Sequence, residues 1–186
     1  MASQDYFSKY WLWGVGGLLL VLNTLWIVRV SGTQGSAAEG GPAPAFELPR
    51  LPAEGGAADA PTGPISLACL RGKVVVLDFW ASWCGPCRDG MPALASLDRR
   101  FRDRGLAVVG VLTDDPELDV AARMADELGV RYPLVIDADG VVSQRYGVQN
   151  LPTAVFIDRA GVIRATEVGP RPPGELARII EPLLRP

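Results

Sequence analysis

The sequence predicts an α/β domain built on a central mixed β-sheet with helices on both faces, preceded by an N-terminal transmembrane helix. Three observations carry this reading. Apolar strand-like runs alternate with helically spaced segments from residue 73 onward; two further strands joined by a tight turn make the sheet mixed; and a charge-free apolar run stands apart at the N-terminus.

The apolar run comes first. Trp11 to Val28 reads WLWGVGGLLLVLNTLWIV, 18 residues without a charge between Lys9 and Arg29. As a helix it spans roughly 27 Å, close to the hydrocarbon thickness of a bilayer. Tyr10, Trp11 and Trp13 at one end and Trp26 at the other favour the two interfaces. A cleaved signal peptide is the competing reading, with candidate sites at Val30-Ser31-Gly32 or around Ala37-Ala38. The run exceeds the usual signal core of about 7–15 residues, which favours an uncleaved anchor. The expected organisation is a short segment 1–10, an anchor 11–30, a flexible linker 31–43 and a globular domain 44–186. The linker is rich in Gly, Ser, Ala and Pro and cannot bury a core. Lys9 and the N-terminal amine are opposed by Asp5, and Arg29 lies beyond the span; the positive-inside rule, which counts the basic groups, favours the N-terminus on the cytoplasmic side and the domain outside.

Within the domain, Ala45 to Leu48 alternates like a short strand, and Pro52 to Pro64 reads as a loop. Lys73-Val-Val-Val-Leu-Asp-Phe-Trp80 is a near-continuous apolar run, the pattern of a strand buried on both faces. Cys84 to Arg102 has helical spacing, with Met91, Leu94, Leu97 and Phe101 on one stripe and Pro92 expected to kink it. Leu106 to Leu112 is a second buried strand. Asp114-Asp115-Pro116-Glu117 reads as a capped helix start, and Gly129 as that helix's end. Leu134 to Ile136 is a short strand ending in the turn Asp137–Gly140. Ala154–Asp158 and Val162–Glu167 form a hairpin, and a last helix begins near Pro173.

Composition removes several function classes. With 18 basic and 21 acidic residues the net charge is −3, so there is no basic field for nucleic acid. The absence of histidine excludes Cys-His and Ser-His-Asp catalysis and weakens most transition-metal sites. Three cysteines, Cys69, Cys84 and Cys87, are too few for a disulfide-stapled scaffold, so a cysteine pair needs a reason other than stability.

Trp83-Cys84-Gly85-Pro86-Cys87 supplies that reason. The segment lies directly after a buried strand and opens a helix. Backbone N–H groups at a helix start stabilise an anion, so Cys84 is placed where a thiolate is favoured. Cys87, one turn along, can attack a mixed disulfide formed by Cys84 and release the partner reduced. Gly85 and Pro86 shape the first turn, where Pro costs no intrahelical hydrogen bond. A structural zinc site would need four ligands, and only Cys69 remains beyond the pair. A purely structural disulfide would close too short a loop to stabilise much.

The stretch Asp78 to Cys87, DFWASWCGPC, resembles the active-site segment of thioredoxins. The wider frame is Phe46-Glu47-Leu48, Leu70-Arg71-Gly72-Lys73, Cys87-Arg88 with Met91-Pro92, Tyr146-Gly147-Val148 and Leu151-Pro152-Thr153. That frame resembles the TlpA/ResA/CcmG group of membrane-anchored thioredoxin-like proteins over residues 43–186. The resemblance implies a thioredoxin-like fold, Cys84 as nucleophile, Cys87 as resolving thiol, and a cis Pro152 facing the disulfide. It implies a substrate surface of Trp83, Gly85, Pro86, Leu151, Pro152 and Thr153, with an extended substrate segment pairing to the backbone there. Asp78 matches the buried aspartate of thioredoxins, which exchanges protons with the resolving cysteine; Asn is common at this position in the TlpA-like group. Gly90 stands where that group often has Glu. Cys69 reads as a small buried hydrophobe beside Leu67 and Leu70, and Trp80 and Trp83 as core and rim aromatics.

The expected function is therefore a membrane-tethered, extracytoplasmic reductase of protein disulfides in a bacterium, of the cytochrome c maturation or copper-site assembly type. Its partners would be a protein disulfide or dithiol (apocytochrome c or a copper-site protein), a membrane electron donor, and the bilayer through residues 11–30. No cofactor is expected beyond the Cys84–Cys87 redox pair, no metal and no nucleic acid. Two alternatives stand beside this. A thiol peroxidase of related fold would need Pro-x-x-x-Thr-x-x-Cys, which Phe79 to Trp83 does not supply. A copper metallochaperone would want His or Met beside the cysteine pair, and Met91 and Met124 lie elsewhere.

Overall fold

Five strands form the central sheet of the computed structural model, which describes residues 37–52 and 63–185. The segments read as N-terminal tail and membrane anchor, residues 1–10 and 11–30, lie outside the described residues. Among the described residues no helix is long and apolar enough to cross a membrane.

The elements run β1 (Glu47–Leu48), β2 (Ile65–Ser66), β3 (Val74–Trp80), α1 (Gly85–Phe101), β4 (Leu106–Thr113), α2 (Leu118–Glu127), β5 (Leu134–Asp137), α3 (Val141–Arg145), β6 (Thr153–Ile157), β7 (Ile163–Val168) and α4 (Pro173–Leu183). The sheet order is β5-β4-β3-β6-β7. Strands β3, β4 and β5 are parallel, whereas β6 is antiparallel to β3 and β7 to β6. The sheet is thus mixed, as the hairpin at the end of the sequence requires. β3 sits at its centre with every residue buried, which explains its Val-Val-Val-Leu run. One face packs on α1, α2 and α4 through Leu94, Phe101, Met124 and Ile180; the other packs on the β1–β2 pair and α3 through Phe46, Leu48 and Tyr146.

Several boundaries depart from the sequence reading, each for a physical reason. Pro92 does not divide α1, which runs unbroken from Gly85 to Phe101. Its buried stripe of Met91, Leu94, Leu97 and Phe101 holds the helix to the sheet across the one hydrogen bond a proline removes. The capped start at Asp114–Glu117 is not realised, because the Asp115 carboxylate is engaged elsewhere and α2 begins at Leu118 without a side-chain cap. The turn Asp137–Gly140 leads into an additional short helix, α3. Buried Asp137 caps it, accepting from Val142 N–H (3.1 Å) and Ser143 N–H (2.7 Å). Residues 37–43, read as the end of a flexible linker, are instead hydrogen-bonded to the domain. Ala37 N–H donates to Arg145 O, Gly40 N–H to Ile163 O, Ala43 N–H to Gly161 O, and Ile163 N–H to Gly41 O.

Candidate active site

Strand β3 and helix α1 meet at the cysteine pair. Cys84 and Cys87 form a disulfide with Cα atoms 5.3 Å apart. Cys84 is the N-cap of α1, its Sγ accepting from Cys87 N–H at 3.2 Å, so the sulfur lies where first-turn N–H groups favour negative charge. The pair differs in access: Cys84 is 5% exposed and Cys87 1%, while Gly85 and Pro86 are exposed around them. The outer sulfur is thus the one a partner meets. Trp83 projects beside it, 61% exposed, with its indole N–H donating to Asp114 O at 2.8 Å.

The loop carrying the cysteines is fastened from below. Asp115 accepts from Ser82 N–H with one carboxylate oxygen and from Glu117 N–H (3.0 Å) with the other. Asp114 adopts a left-handed conformation, φ 52°, that turns its carbonyl toward the Trp83 ring. Asp tolerates this region better than most residues.

Asp78 lies on β3 with 3% exposure, between two small residues. Its neighbour on β4 is Gly110 and on β6 is Ala154. A Cβ at position 110 would lie 2.5 Å from Leu134 Cδ2, 3.0 Å from Trp80 Nε1 and 3.2 Å from Tyr132 Cε2. The missing side chain lets Tyr132 reach across, its hydroxyl donating to Asp78 Oδ2 at 3.4 Å. Burial pushes the Asp78 carboxyl from its ordinary 3.8 up to about 7, the Tyr132 hydrogen bond opposing this in part. Tyr132 is in turn held well above its ordinary value by its own burial and by the facing carboxylate.

A narrow cavity of about 20 Å³ joins these groups, with Asp78, Cys87 and Pro152 among its walls. That is room for one water molecule. The Leu151–Pro152 bond is cis. Pro152 O accepts from Gly169 N–H, and the Thr153 hydroxyl donates to Asn150 O at 2.7 Å. Half-buried Leu151 keeps its backbone N–H and C=O unpaired among the described residues. A larger cavity, about 130 Å³, lies at the opposite end of β3 beside Lys73 and Arg159, and neither active-site cysteine lines it.

The structure therefore gathers Asp78, Cys84, Cys87 and Pro152 at one point, with Trp83, Gly85, Pro86 and Leu151 on the surrounding surface and Thr153 buried behind it. Cys69 departs from its expectation: it is an exposed thiol, accepting from Ser66 Oγ–H at 3.1 Å. Residues 67–70 form a 3₁₀ turn, in which positions three apart align, so Leu67 and Leu70 face the core and Cys69 points away. Tyr132 and Glu167, which the sequence did not single out, and Asp115, read there as part of a helix start, reach the site only through strand register and loop packing. Among the described residues, no group of three or more His, Cys, Asp or Glu is arranged to hold a metal ion.

Comparison with known proteins extends this. The AhpC/TSA family model matches residues 40–166. The thioredoxin-like protein YneN of Bacillus subtilis is 36% identical over 166 residues, 87% of this chain and 91% of that protein. The thiol-disulfide oxidoreductase ResA of Halalkalibacterium halodurans is 36% identical over 105 residues, 56% of this chain and 59% of that protein. Among solved structures, one assigned as the thiol:disulfide interchange protein DsbE of Chlorobium tepidum superposes with a TM-score of 0.71 at 33% identity, over 81% of this chain and all of that one.

Proposed function

The chain belongs to the AhpC/TSA family and is a thiol-disulfide oxidoreductase of thioredoxin-like fold, and from this we propose that it works as a membrane-tethered reductase of protein disulfides outside the cytoplasmic membrane. The observation that carries the chemistry is the Cys84–Cys87 pair at the start of α1, sharing a cavity with the buried Asp78 carboxyl.

In the reductive direction the Cys84 thiolate attacks one sulfur of a substrate disulfide, and the other substrate sulfur leaves as a thiolate that takes a proton from water. Asp78, which shares the cavity, takes the Cys87 proton. The Cys87 thiolate then attacks Cys84 Sγ, forming the internal disulfide and releasing the second substrate thiol. Two electrons pass from the enzyme cysteines to the substrate; one substrate sulfur takes its proton from water, and the other's is matched by the proton Asp78 took from Cys87. An Asp carboxyl near 7 suits this exchange, because it accepts and returns a proton at neutral pH. The open backbone groups of Leu151 would pair with an extended substrate segment. Apocytochrome c and copper-site proteins are the substrates we assign, with a membrane protein restoring the dithiol.

The test is thiol trapping in living cells with a membrane-impermeant maleimide. Labelling of Cys84 and Cys87 without added reductant supports a reductase facing outward. A pair that labels only after reduction argues for disulfide donation instead, and a pair that labels only after lysis overturns the topology. An Asp78→Asn protein should turn over more slowly than the parent above neutral pH, and an unchanged rate–pH profile would remove Asp78 from the mechanism.

A further inference from the structure

The reading of Asp78 as the proton partner of Cys87 leaves open how a carboxyl with 3% exposure exchanges its proton with solvent. We propose that Glu167, held by Arg171, is the outer station through which Asp78 trades that proton with bulk water. This inference rests on the function proposed above.

Strand register supplies the geometry. Asp78 pairs directly with Ala154, and Ala154 with Glu167. Directly paired residues point to the same sheet face, so the two carboxylates stand in one row with only the Ala154 methyl between them. Neighbouring strands lie about 4.8 Å apart, so their backbones are separated by roughly 10 Å. Two acidic side chains leaning over an alanine leave a gap of about one water, and the 20 Å³ cavity reaching from Asp78 and Cys87 to Glu167 and Arg171 is that gap.

Several of the cavity's other walls are apolar. Met91 and Leu94 of α1, and Leu176 of α4, wall the cavity with apolar groups. On the far side of Asp78 stands the Tyr132 hydroxyl, buried behind Leu134 and Trp80 at Gly110. The groups able to carry or influence a proton around Asp78 are thus Cys87 from α1, Tyr132 from the segment before β5, Glu167 from β7, and Arg171 from the segment before α4. Of the proton-carrying three, only Glu167 also meets solvent, its side chain 29% exposed. Arg171 Nε and Nη2 both engage Glu167 Oε2 at 3.0 Å, which leaves Oε1 unpartnered among the described residues and able to hydrogen-bond water. Gly90 contributes no side chain here, and a Cβ at that position would already stand 3.5 Å from Pro170 Cβ. The acid at this cavity therefore comes from β7 rather than from α1.

The proton path is Cys87 Sγ to Asp78, Asp78 by way of water to Glu167 Oε1, and Glu167 to solvent; the two electrons of the disulfide chemistry stay on sulfur. Glu167→Gln keeps the shape and the Arg171 contact but carries no proton. The experiment is steady-state reduction of a quenched, disulfide-linked peptide by dithiothreitol at pH 7, using full-length protein in dilute buffer and again with added imidazole. Measured alongside Glu167→Gln are Glu167→Asp, Asp78→Asn, the double variant, and the equilibrium of the Cys84–Cys87 pair with dithiothreitol. Expected is about a fivefold loss for Glu167→Gln in dilute buffer, smaller than a direct general acid–base group gives. Imidazole should restore the rate, Glu167→Asp should recover much of it, the redox equilibrium should stay put, and the double variant should match Asp78→Asn alone. If Asp78→Asn is slow while Glu167→Gln turns over like the parent, the route is wrong and Asp78 keeps its role. A slow Glu167→Gln that imidazole does not rescue, or a shifted redox equilibrium, overturns the relay in favour of a field or packing effect. If Asp78→Asn is itself unimpaired, both readings fall.

Discussion

A buried carboxyl that ionises near 7 costs the fold stability, and the sign follows from where the proton sits. Between pH about 4 and 7 the folded chain keeps a proton on Asp78 that the unfolded chain has released, so stability falls as pH rises through that window. At about 1.4 kcal/mol per pH unit, the cost above pH 7 is on the order of 4 kcal/mol. Oxidised Asp78→Asn protein should therefore be more stable than the parent at pH 8, by up to about 4 kcal/mol, with the gain vanishing near pH 3. Urea unfolding across that range checks it, and a gain independent of pH would contradict the burial of an ionising group. Retaining a destabilising acid makes sense only if its proton is used. Gly110 belongs to the same economy of space. Its substitution by Ala would drive a methyl to 2.5 Å from Leu134 Cδ2 and toward the Tyr132 ring. Thermal unfolding of Gly110→Ala should show a loss of about 1–3 kcal/mol, the usual cost of overpacking.

The reactive loop is positioned by an element remote in sequence, the segment between β4 and α2. Removing the Asp115 carboxylate orphans the Ser82 and Glu117 N–H groups together. Asp115→Ala should lower stability by about 1–3 kcal/mol. It should also expose the amides of Ser82 to Cys84 to faster hydrogen exchange, while amides within β3 stay protected; uniform exchange would mean the segment is not a local clamp. This contact shows where a sequence misleads. Asp114-Asp115-Pro116-Glu117 has the residues of a helix cap, and the tertiary fold uses one of them on another loop. By contrast β3 and α1 were legible because burial writes itself into composition: an unbroken apolar run for a central strand, a stripe of Met91, Leu94, Leu97 and Phe101 for a half-buried helix. The Cys84–Cys87 pair and Asp78 were legible for the same reason, being unusual residue types in patterned surroundings. Five-residue α3 and the two-residue β1 and β2 are too short to carry a period. Tyr132 and Glu167 look like ordinary residues until register lays Leu134, Gly110, Asp78, Ala154 and Glu167 in one row across the sheet.

At the scale of the whole molecule, the question is where the domain begins. Composition places its start at residue 44, since a run of Gly, Ala and Pro buries little. The structure adds hydrogen bonds to the modest apolar contact of Ala37 and Ala43 with the core. Four backbone bonds join residues 37–43 to the end of α3 and to the β6–β7 hairpin, and Glu39 Oε1 accepts from Thr166 N–H at 2.8 Å. These contacts cover the outer edge of β7, the exposed border of the sheet, where unpaired strand groups would otherwise invite association with other chains. Each such bond contributes about 0.5–1.5 kcal/mol before the entropy of ordering a glycine-rich segment is subtracted. A chain beginning at residue 44 should consequently be less stable than one beginning at residue 37, by about 1–3 kcal/mol on this reckoning. It should also show concentration-dependent self-association that the longer chain lacks. Urea unfolding and sedimentation of the two chains decide the matter. Equal stability and equal monodispersity would return residues 37–43 to the linker. A difference would mean that β7, which also carries Glu167, depends on the N-terminal segment for its edge, tying the segment that leads into the domain to the strand beside the active-site cavity.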